Sequence, residues 1–197
     1  MLAVLLTTPI IGYIIYVAVP GSSLFSWHPI CMSISFAGMM LGGAEVFSLG
    51  SQRYRHRVTL HWQLQAAAAV LSLAGLAAIF FNKELRGAPH FTSTHGQLGL
   101  AAVAAATVQS AGGLLALYAT RLPRLVAPRL TKTLHAMSGV VLVALGLYTL
   151  RLGLATAWFQ LVAAPLAQPV GELLLALAVL RVTYRVVMFR FRRVKSS

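Results

Sequence analysis

The sequence predicts an all-α membrane protein with six transmembrane helices, on three observations. The 197 residues are 58% hydrophobic and only 10% charged, with a mean hydropathy of +0.80, which is more apolar than a soluble core of this size requires. Apolar runs recur at the length of roughly 20 residues that a helix needs to cross a bilayer. Basic residues fall in short blocks between these runs, as topology signals do in membrane proteins.

Six apolar runs satisfy this length, and the connections between them are short, so we expect one domain over residues 1–197. The predicted helices cover about 2–19, 28–49, 59–81, 95–118, 133–154 and 160–188. The first run has no basic residues before it, which favours a spanning helix over a cleaved signal peptide. Residues 20–23 are expected to turn the chain after the first helix. Pro165 and Pro169 are expected to precede or open the last helix.

The loop charges predict the orientation in the membrane. Most of the basic residues lie on one side: Arg53, Arg55, Arg57, Arg121, Arg124, Arg129, Lys132, Arg181, Arg185, Arg190, Arg192, Arg193 and Lys195. The other side keeps Lys83, Arg86 and Arg151. By the positive-inside rule the first side faces the cytosol, which places both termini there. The net charge of +13 does not indicate nucleic-acid binding, because the chain has no basic, aromatic-studded surface domain to carry it.

Each of the four central helices carries one histidine near its start. These are His28, His61, His95 and His135. An ionisable side chain is costly inside a membrane and is therefore a functional-site candidate. The helix directions put His28 and His95 on the non-cytosolic side and the other two on the cytosolic side. A pairing across the sides would have to reach through most of the bilayer. We therefore expect two same-side pairs rather than four side chains that extend separately to water.

Two facing imidazoles suit the axial positions of a haem iron better than they suit a catalytic metal centre. A catalytic metal usually has three protein ligands, often including a carboxylate or a thiolate. The chain has three acidic residues, none adjacent to a histidine in sequence, and Cys31 is its only cysteine. A haem with two axial histidines binds no substrate at iron and passes single electrons.

Small and basic residues near the histidines are compatible with this cofactor. Gly99 and Gly139 each lie four residues after a paired histidine and on its face of the helix. They would admit the edge of a porphyrin or, alternatively, allow close packing of helices. Arg57 and Lys132 precede a histidine by about one turn on the cytosolic side, where they would bind haem propionates or act only as topology signals.

The remaining histidines and the tryptophans are expected to have surface roles. His56 and His90 lie in polar loops and are predicted to be solvated. Trp27, Trp62 and Trp158 are predicted to mark the membrane interfaces, where amphipathic rings accumulate.

Several motifs resemble the eukaryotic cytochrome b561 family, in the branch whose members consist of a single b561 domain. The motifs are Pro20-Gly21-Ser22-Ser23-Leu24-Phe25-Ser26-Trp27-His28-Pro29, His61-Trp62, Thr94-His95-Gly96, and Leu134-His135 followed by Ser138-Gly139. The similarity extends over nearly the whole chain and is weak in the last segment after Trp158-Phe159.

The resemblance implies a six-helix bundle whose four central helices hold two haem b groups, one near each membrane surface. It implies that His28 and His95 ligate the non-cytosolic haem iron, and that His61 and His135 ligate the cytosolic one. The activity would be that of an ascorbate-dependent transmembrane oxidoreductase. Ascorbate would be the cytosolic donor, and monodehydroascorbate or a ferric chelate the acceptor on the other side. No catalytic side chain is needed, because the electrons pass through haem.

The resemblance also suggests where the substrates bind. On the cytosolic side it points to basic residues near the third and fifth helices, namely Arg57 and Lys132, with Arg53 and Arg129. On the other side a loop position often held by histidine in the family is Asn82 here, next to Lys83. An endomembrane, such as the endoplasmic reticulum or a vesicle, is favoured over the plasma membrane. A homodimer is compatible with the sequence.

Two alternatives remain open at the level of sequence. The first is a haem-free transporter or proton relay that uses the histidines as titrating groups. The scarcity of acidic residues and the lack of an inverted repeat or a broken-helix pair count against it. The second is a haem-binding membrane subunit that anchors another enzyme and would not be reduced by ascorbate without that partner.

Overall fold

The structure, a computed structural model, describes residues 1–19, 23–48, 53–123 and 127–195, with side chains to residue 188. These residues form helices and connecting loops without strands, which confirms the all-α class. Seven helices follow one another: α1 Leu2–Ala18, α2 Leu24–Glu45, α3 Tyr54–Glu84, α4 Thr94–Tyr118, α5 Pro128–Leu154, α6 Ala157–Val162 and α7 Ala167–Lys195. The turn predicted over residues 20–22, Arg124, and the side chains of Arg190, Arg192, Arg193 and Lys195 lie outside the described residues.

Four of the described helices, α2 to α5, are long and apolar enough to cross a membrane. They are the four that carry the paired histidines. The helix α1 is apolar but has only 17 residues. The predicted spans are therefore supported for the central four helices, and the total of six stays a prediction.

Some helix boundaries differ from those predicted. The helix α2 begins at Leu24, earlier than expected, because Ser23 and Ser26 form a capping box at its start, so His28 lies in the second turn. The predicted segment 160–188 was wrong as a single helix. It is divided between α6 and α7, since the chain leaves helical conformation after Val162 and Pro165 lies in the connection.

Neighbouring helices in sequence pack against each other in an antiparallel bundle. The helix α2 packs on α3, and α4 packs on α5, while α1 and α7 pack together along one side of the central four. This arrangement follows from short connections, which bring consecutive helices side by side. The bundle therefore has two ends: the His28 end, which also holds His95, and the His61 end, which also holds His135.

The middle of α2 is a π-helical segment, Ile34–Met40. Carbonyl groups of this segment accept hydrogen bonds from neighbouring helices, which stabilises the local departure from α-helical bonding. Thr7 Oγ1 donates to the Ala37 carbonyl at 2.7 Å, and Gln65 Nε2 donates to the Met40 carbonyl at 3.1 Å. The segment lies between the two histidine pairs, and it shifts the phase of the second half of α2 relative to the first.

A buried carboxylate joins three helices at the His61 end. The Glu45 side chain is fully buried, and its Oε2 accepts the Ala3 N–H at 3.0 Å. The same carboxylate lies 2.9 Å from the Met1 ammonium and 3.6 Å from Arg181 Nε. Because a buried charge without a counter-charge is costly, this cluster holds α1 and α7 against the end of α2.

We expect Glu45→Gln to destabilise the bundle. The substitution leaves the Arg181 guanidinium without its buried counter-charge, at a cost on the order of 3 kcal/mol. A lower melting temperature of the purified protein in detergent would show this. The matched control is Glu84→Gln, at a side chain that is 57% exposed, and it should leave the melting temperature nearly unchanged. Equal melting temperatures for both variants would contradict the structural role of Glu45.

Candidate functional site

The four histidines of the central helices stand in two pairs. The ring centroids of His28 and His95 are 6.0 Å apart with planes at 87°, and those of His61 and His135 are 6.1 Å apart with planes at 89°. These are the same-side pairs that the loop charges predict. The two pairs lie at opposite ends of the bundle, each formed by one residue from α2 or α3 and one from α4 or α5.

Backbone carbonyls orient three of these four rings. His28 Nδ1 lies 3.0 Å from the Gly75 carbonyl, His61 Nδ1 lies 2.8 Å from the Gly43 carbonyl, and His95 Nδ1 lies 3.0 Å from the Thr149 carbonyl. A carbonyl can only accept, so each Nδ1 carries the proton and donates it. The lone pair is then on Nε2, the arrangement that ligating histidines adopt when an outer partner fixes their tautomer.

The hydrogen bonds are reciprocal between α2 and α3, and glycine makes them possible. His28 on α2 donates to Gly75 on α3, and His61 on α3 donates to Gly43 on α2. A Cβ at Gly75 would lie 3.0 Å from the Cys31 Cβ, and one at Gly43 would lie 2.6 Å from Gln65 Nε2. A larger residue at Gly75 would therefore press on Cys31 and on the His28 backbone, whereas at Gly43 it would displace the Gln65 amide.

Gly99 and Gly139, the two glycines that the sequence places on the histidine faces, have different surroundings in the structure. Gly99 lines the cavity beside His95, and a Cβ there would lie 3.7 Å from Thr149 Cγ2. A Cβ at Gly139 would lie 3.0 Å from Gln109 Nε2, which donates to the His135 carbonyl at 2.6 Å. Gly139 thus makes room for the Gln109 amide.

Sequence reasoning missed the backbone carbonyls that accept hydrogen bonds from the histidines, although a signal was present for two of them. Gly43 and Gly75 follow His28 and His61 by 15 and 14 residues. At about 1.5 Å per residue this spacing carries each glycine to the depth of the opposite pair. Thr149, by contrast, could be assigned only after the α4–α5 contact was known.

The donor set fits a haem. Metal–imidazole bonds of about 2 Å on either side of an iron place the centroids of two trans rings about 6 Å apart. Among the described residues, no three His, Cys, Asp or Glu side chains come together, so the imidazoles are available only as pairs. An apolar cavity extends from His28 and His95 past Phe36 and Gly99, as a flat macrocycle between helices requires.

Basic residues accompany the pair at the His61 end. Arg57 is half-buried one turn before His61, and its Nη1 donates to the Phe47 carbonyl at 3.3 Å. Lys132 is half-buried about one turn before His135. Arg53 and Arg129 are exposed at the starts of α3 and α5. The structure thus gathers all four predicted basic residues at one end.

The predicted acceptor residues at the His28 end are less accessible. Asn82 is buried, with 9% of its surface exposed. Lys83 lines the cavity beside His28, and its Nζ donates to the Pro89 carbonyl at 2.7 Å. Whether either residue contacts a substrate stays a prediction.

The prediction that His90 is solvated was wrong. Its ring stacks on Phe80 with centroids 4.3 Å apart, it pairs with Glu84 at 2.7 Å, and it lines the same cavity as His28. The loop after α3 turns back at Gly87, whose φ is +61°, and this turn brings the imidazole over the apolar face of α3. His56 is exposed, as expected.

Comparison with known proteins agrees with the geometry. Residues 27–160, which include all four paired histidines, match the model of the family described as eukaryotic cytochrome b561. The chain is 43% identical to the transmembrane reductase CYB561D2 of Homo sapiens over 157 residues, which are 76% of this chain and 70% of that protein. It is 30% identical to the probable transmembrane reductase CYB561D1 of Mus musculus over 158 residues, covering 76% and 69% of the two chains. The chain belongs to the eukaryotic cytochrome b561 family of membrane electron carriers.

Proposed function

We propose that this protein is an ascorbate-dependent transmembrane oxidoreductase with two haem b groups. His28 and His95 would hold one haem, and His61 and His135 the other. The observation that carries the proposal is that the four imidazoles form two pairs, each with a centroid separation near 6 Å. Family membership supports the same cofactor.

Haem b, when bound, supplies reversible one-electron oxidation and reduction. The chain's own residues ligate the cofactor, fix the orientation of the axial rings and keep water from the apolar cavity. Two imidazoles per iron leave no coordination position for a substrate, so the donor and the acceptor react at the surface of the protein. No side chain of the chain needs to form a bond to either substrate.

The positive charge of the His61 end favours this end as the place where the donor binds. Arg57, Lys132, Arg53 and Arg129 make this end positive, and ascorbate is an anion at neutral pH. Such a surface raises the local concentration of an anionic substrate. By the positive-inside rule this end and both termini face the cytosol.

The acceptor is assigned to the His28 end. Each ascorbate that gives up one electron becomes monodehydroascorbate and releases a proton, and each monodehydroascorbate or ferric chelate on the other side takes up one electron. Lys83, beside His28, lies where such an acceptor would approach. We place the protein in an endomembrane.

We expect the purified protein to show a b-type spectrum that is lost in two steps. His95→Ala or His28→Ala should remove about half of the haem absorbance, and His61→Ala or His135→Ala the other half, because each variant leaves one pair intact. Haem content per chain, measured by pyridine haemochrome, is the readout.

His56→Ala is the matched control and should retain the full spectrum, since His56 is exposed and unpaired with another imidazole. A protein that folds and carries no haem under adequate haem supply would contradict the proposal. Such a protein would favour a haem-free histidine relay, which proton flux in liposomes would then test.

We expect Arg57→Gln and Lys132→Gln to weaken ascorbate use. Removal of one cation at a surface site should raise the KM for ascorbate roughly threefold to tenfold, equivalent to about 1 kcal/mol, and the effect should shrink at high salt. Steady-state reduction of the haem absorbance by ascorbate measures this, with kcat nearly unchanged.

The exposed Arg55 provides the comparison, because Arg55→Gln removes one positive charge from the same first turn of α3 as Arg57. If all three variants raise the KM equally, only general electrostatic attraction is at work. That result would argue against a specific ascorbate site at Arg57 and Lys132.

A further inference from the structure

A second cavity lies beside the first at the His28 end. Its volume is about 740 Å³, within the range of about 300–1,000 Å³ that ligand pockets usually have. The end of α1, the start of α2, the loop after α3 and the helix α6 surround it. Its lining includes Tyr16, Ser23, Phe25, Arg86 and Trp158.

Arg86 is the cation of this cavity. The sequence places three basic residues at this end, and two of them have partners. Lys83 donates to the Pro89 carbonyl, and Arg151 lies 3.4 Å from Glu172 and 5.9 Å from the centre of the Tyr148 ring. The Arg86 side chain is exposed and makes no hydrogen bond or ion pair with the described part of the chain.

The described lining contains no acidic residue, so Arg86 gives the cavity a positive charge. A guanidinium presents five donors in a planar fork that matches a carboxylate with two parallel hydrogen bonds. Tyr16 and Ser23 are further residues of the lining that carry polar groups. The chemistry of the cavity therefore suits a small anion rich in oxygen.

Two aromatic side chains form a wall shared by both cavities. Phe25 and Trp158 line each of them, and their rings pack edge to face with centroids 5.1 Å apart and planes at 68°. On the other side of this wall are His28 and His95. A ligand held by Arg86 would thus be one layer of side chains away from the histidine pair, without entering its cavity.

We propose that the Arg86 cavity is the docking site for the electron acceptor, a polycarboxylate chelate of Fe³⁺. This inference rests on the proposed function and adds a site to it. The chelated Fe³⁺ takes up one electron and leaves as Fe²⁺. The electron comes from ascorbate at the other end, which becomes monodehydroascorbate and releases a proton there. Arg86 binds the carboxylates, and the Phe25–Trp158 wall keeps the chelate away from the axial imidazoles.

The test uses Ga³⁺–citrate, which has the charge and size of the ferric chelate but cannot be reduced at these potentials. Its binding to the full chain in nanodiscs of phosphatidylcholine is measured by calorimetry, independently of electron transfer. We expect Arg86→Gln to weaken binding about tenfold or more, because a charged hydrogen bond is lost. Arg86→Lys should retain part of the affinity. Arg151→Gln, which removes a paired cation outside the cavity, should bind like the unchanged chain.

A second variant tests the role of the Phe25–Trp158 wall independently of the role of Arg86. Trp158→Leu should leave Ga³⁺–citrate affinity within about twofold and change the rate of ferric citrate reduction, with unchanged haem content per chain as the check on folding. Equal Ga³⁺–citrate affinity in Arg86→Gln and the unchanged chain would overturn the proposal. It would also be overturned if phosphatidylglycerol in the nanodisc abolished binding and co-purified in an Arg86-dependent manner, because the cavity would then be a lipid headgroup site.

These outcomes are distinguishable from failure of the proposed function. Haem content and reduction of the haem absorbance by ascorbate should be the same in Arg86→Gln and the unchanged chain. Loss of both in the unchanged chain would count against the electron carrier itself, whatever Ga³⁺–citrate does.

Discussion

The structure depends on hydrogen bonds between partly buried imidazoles and backbone carbonyls of the neighbouring helix. A histidine in an apolar bundle needs a partner, and a helical carbonyl can supply a second lone pair without breaking its own helix. Gly75, Gly43 and Thr149 supply it. Each bond fixes the tautomer, leaves the lone pair on Nε2 and ties the ring to the neighbouring helix. Three of the four paired rings are oriented in this way, by contacts that also tie α2 to α3 and α4 to α5.

Charge then gives the two ends of the bundle different roles. The His61 end collects the basic residues Arg53, Arg57, Arg129 and Lys132, and it holds the buried Glu45 cluster that joins α1, α2 and α7. The His28 end has few cations, two of them with partners. In the proposed function, several cations at one end attract the anionic donor, whereas at the other end the Arg86 guanidinium binds the acceptor. With two imidazoles on each haem iron, as proposed, no substrate would bind at iron, and specificity would reside in these surfaces.

The central helices and the histidine pairing could be predicted from sequence, because hydropathy, loop charge and histidine position are one-dimensional signals. The division between α6 and α7 could not be predicted from sequence, because Pro165 is compatible with a turn but does not require one. His90 was assigned to solvent because its stacking on Phe80 depends on how the loop after α3 folds back. The role of Arg86 needed knowledge of what Lys83 and Arg151 contact, and such pairings exist only in three dimensions.

The most direct test of the account is electron transfer across a sealed membrane. The haem-loaded protein is reconstituted into vesicles with ferricyanide trapped inside, and ascorbate is added outside. We predict rapid bleaching of the ferricyanide with the unchanged chain, and its loss in both His28→Ala and His61→Ala, since each variant keeps only one of the two pairs. Bleaching that persists in either variant, or that is absent with the fully loaded chain, would contradict a carrier that uses both pairs in series.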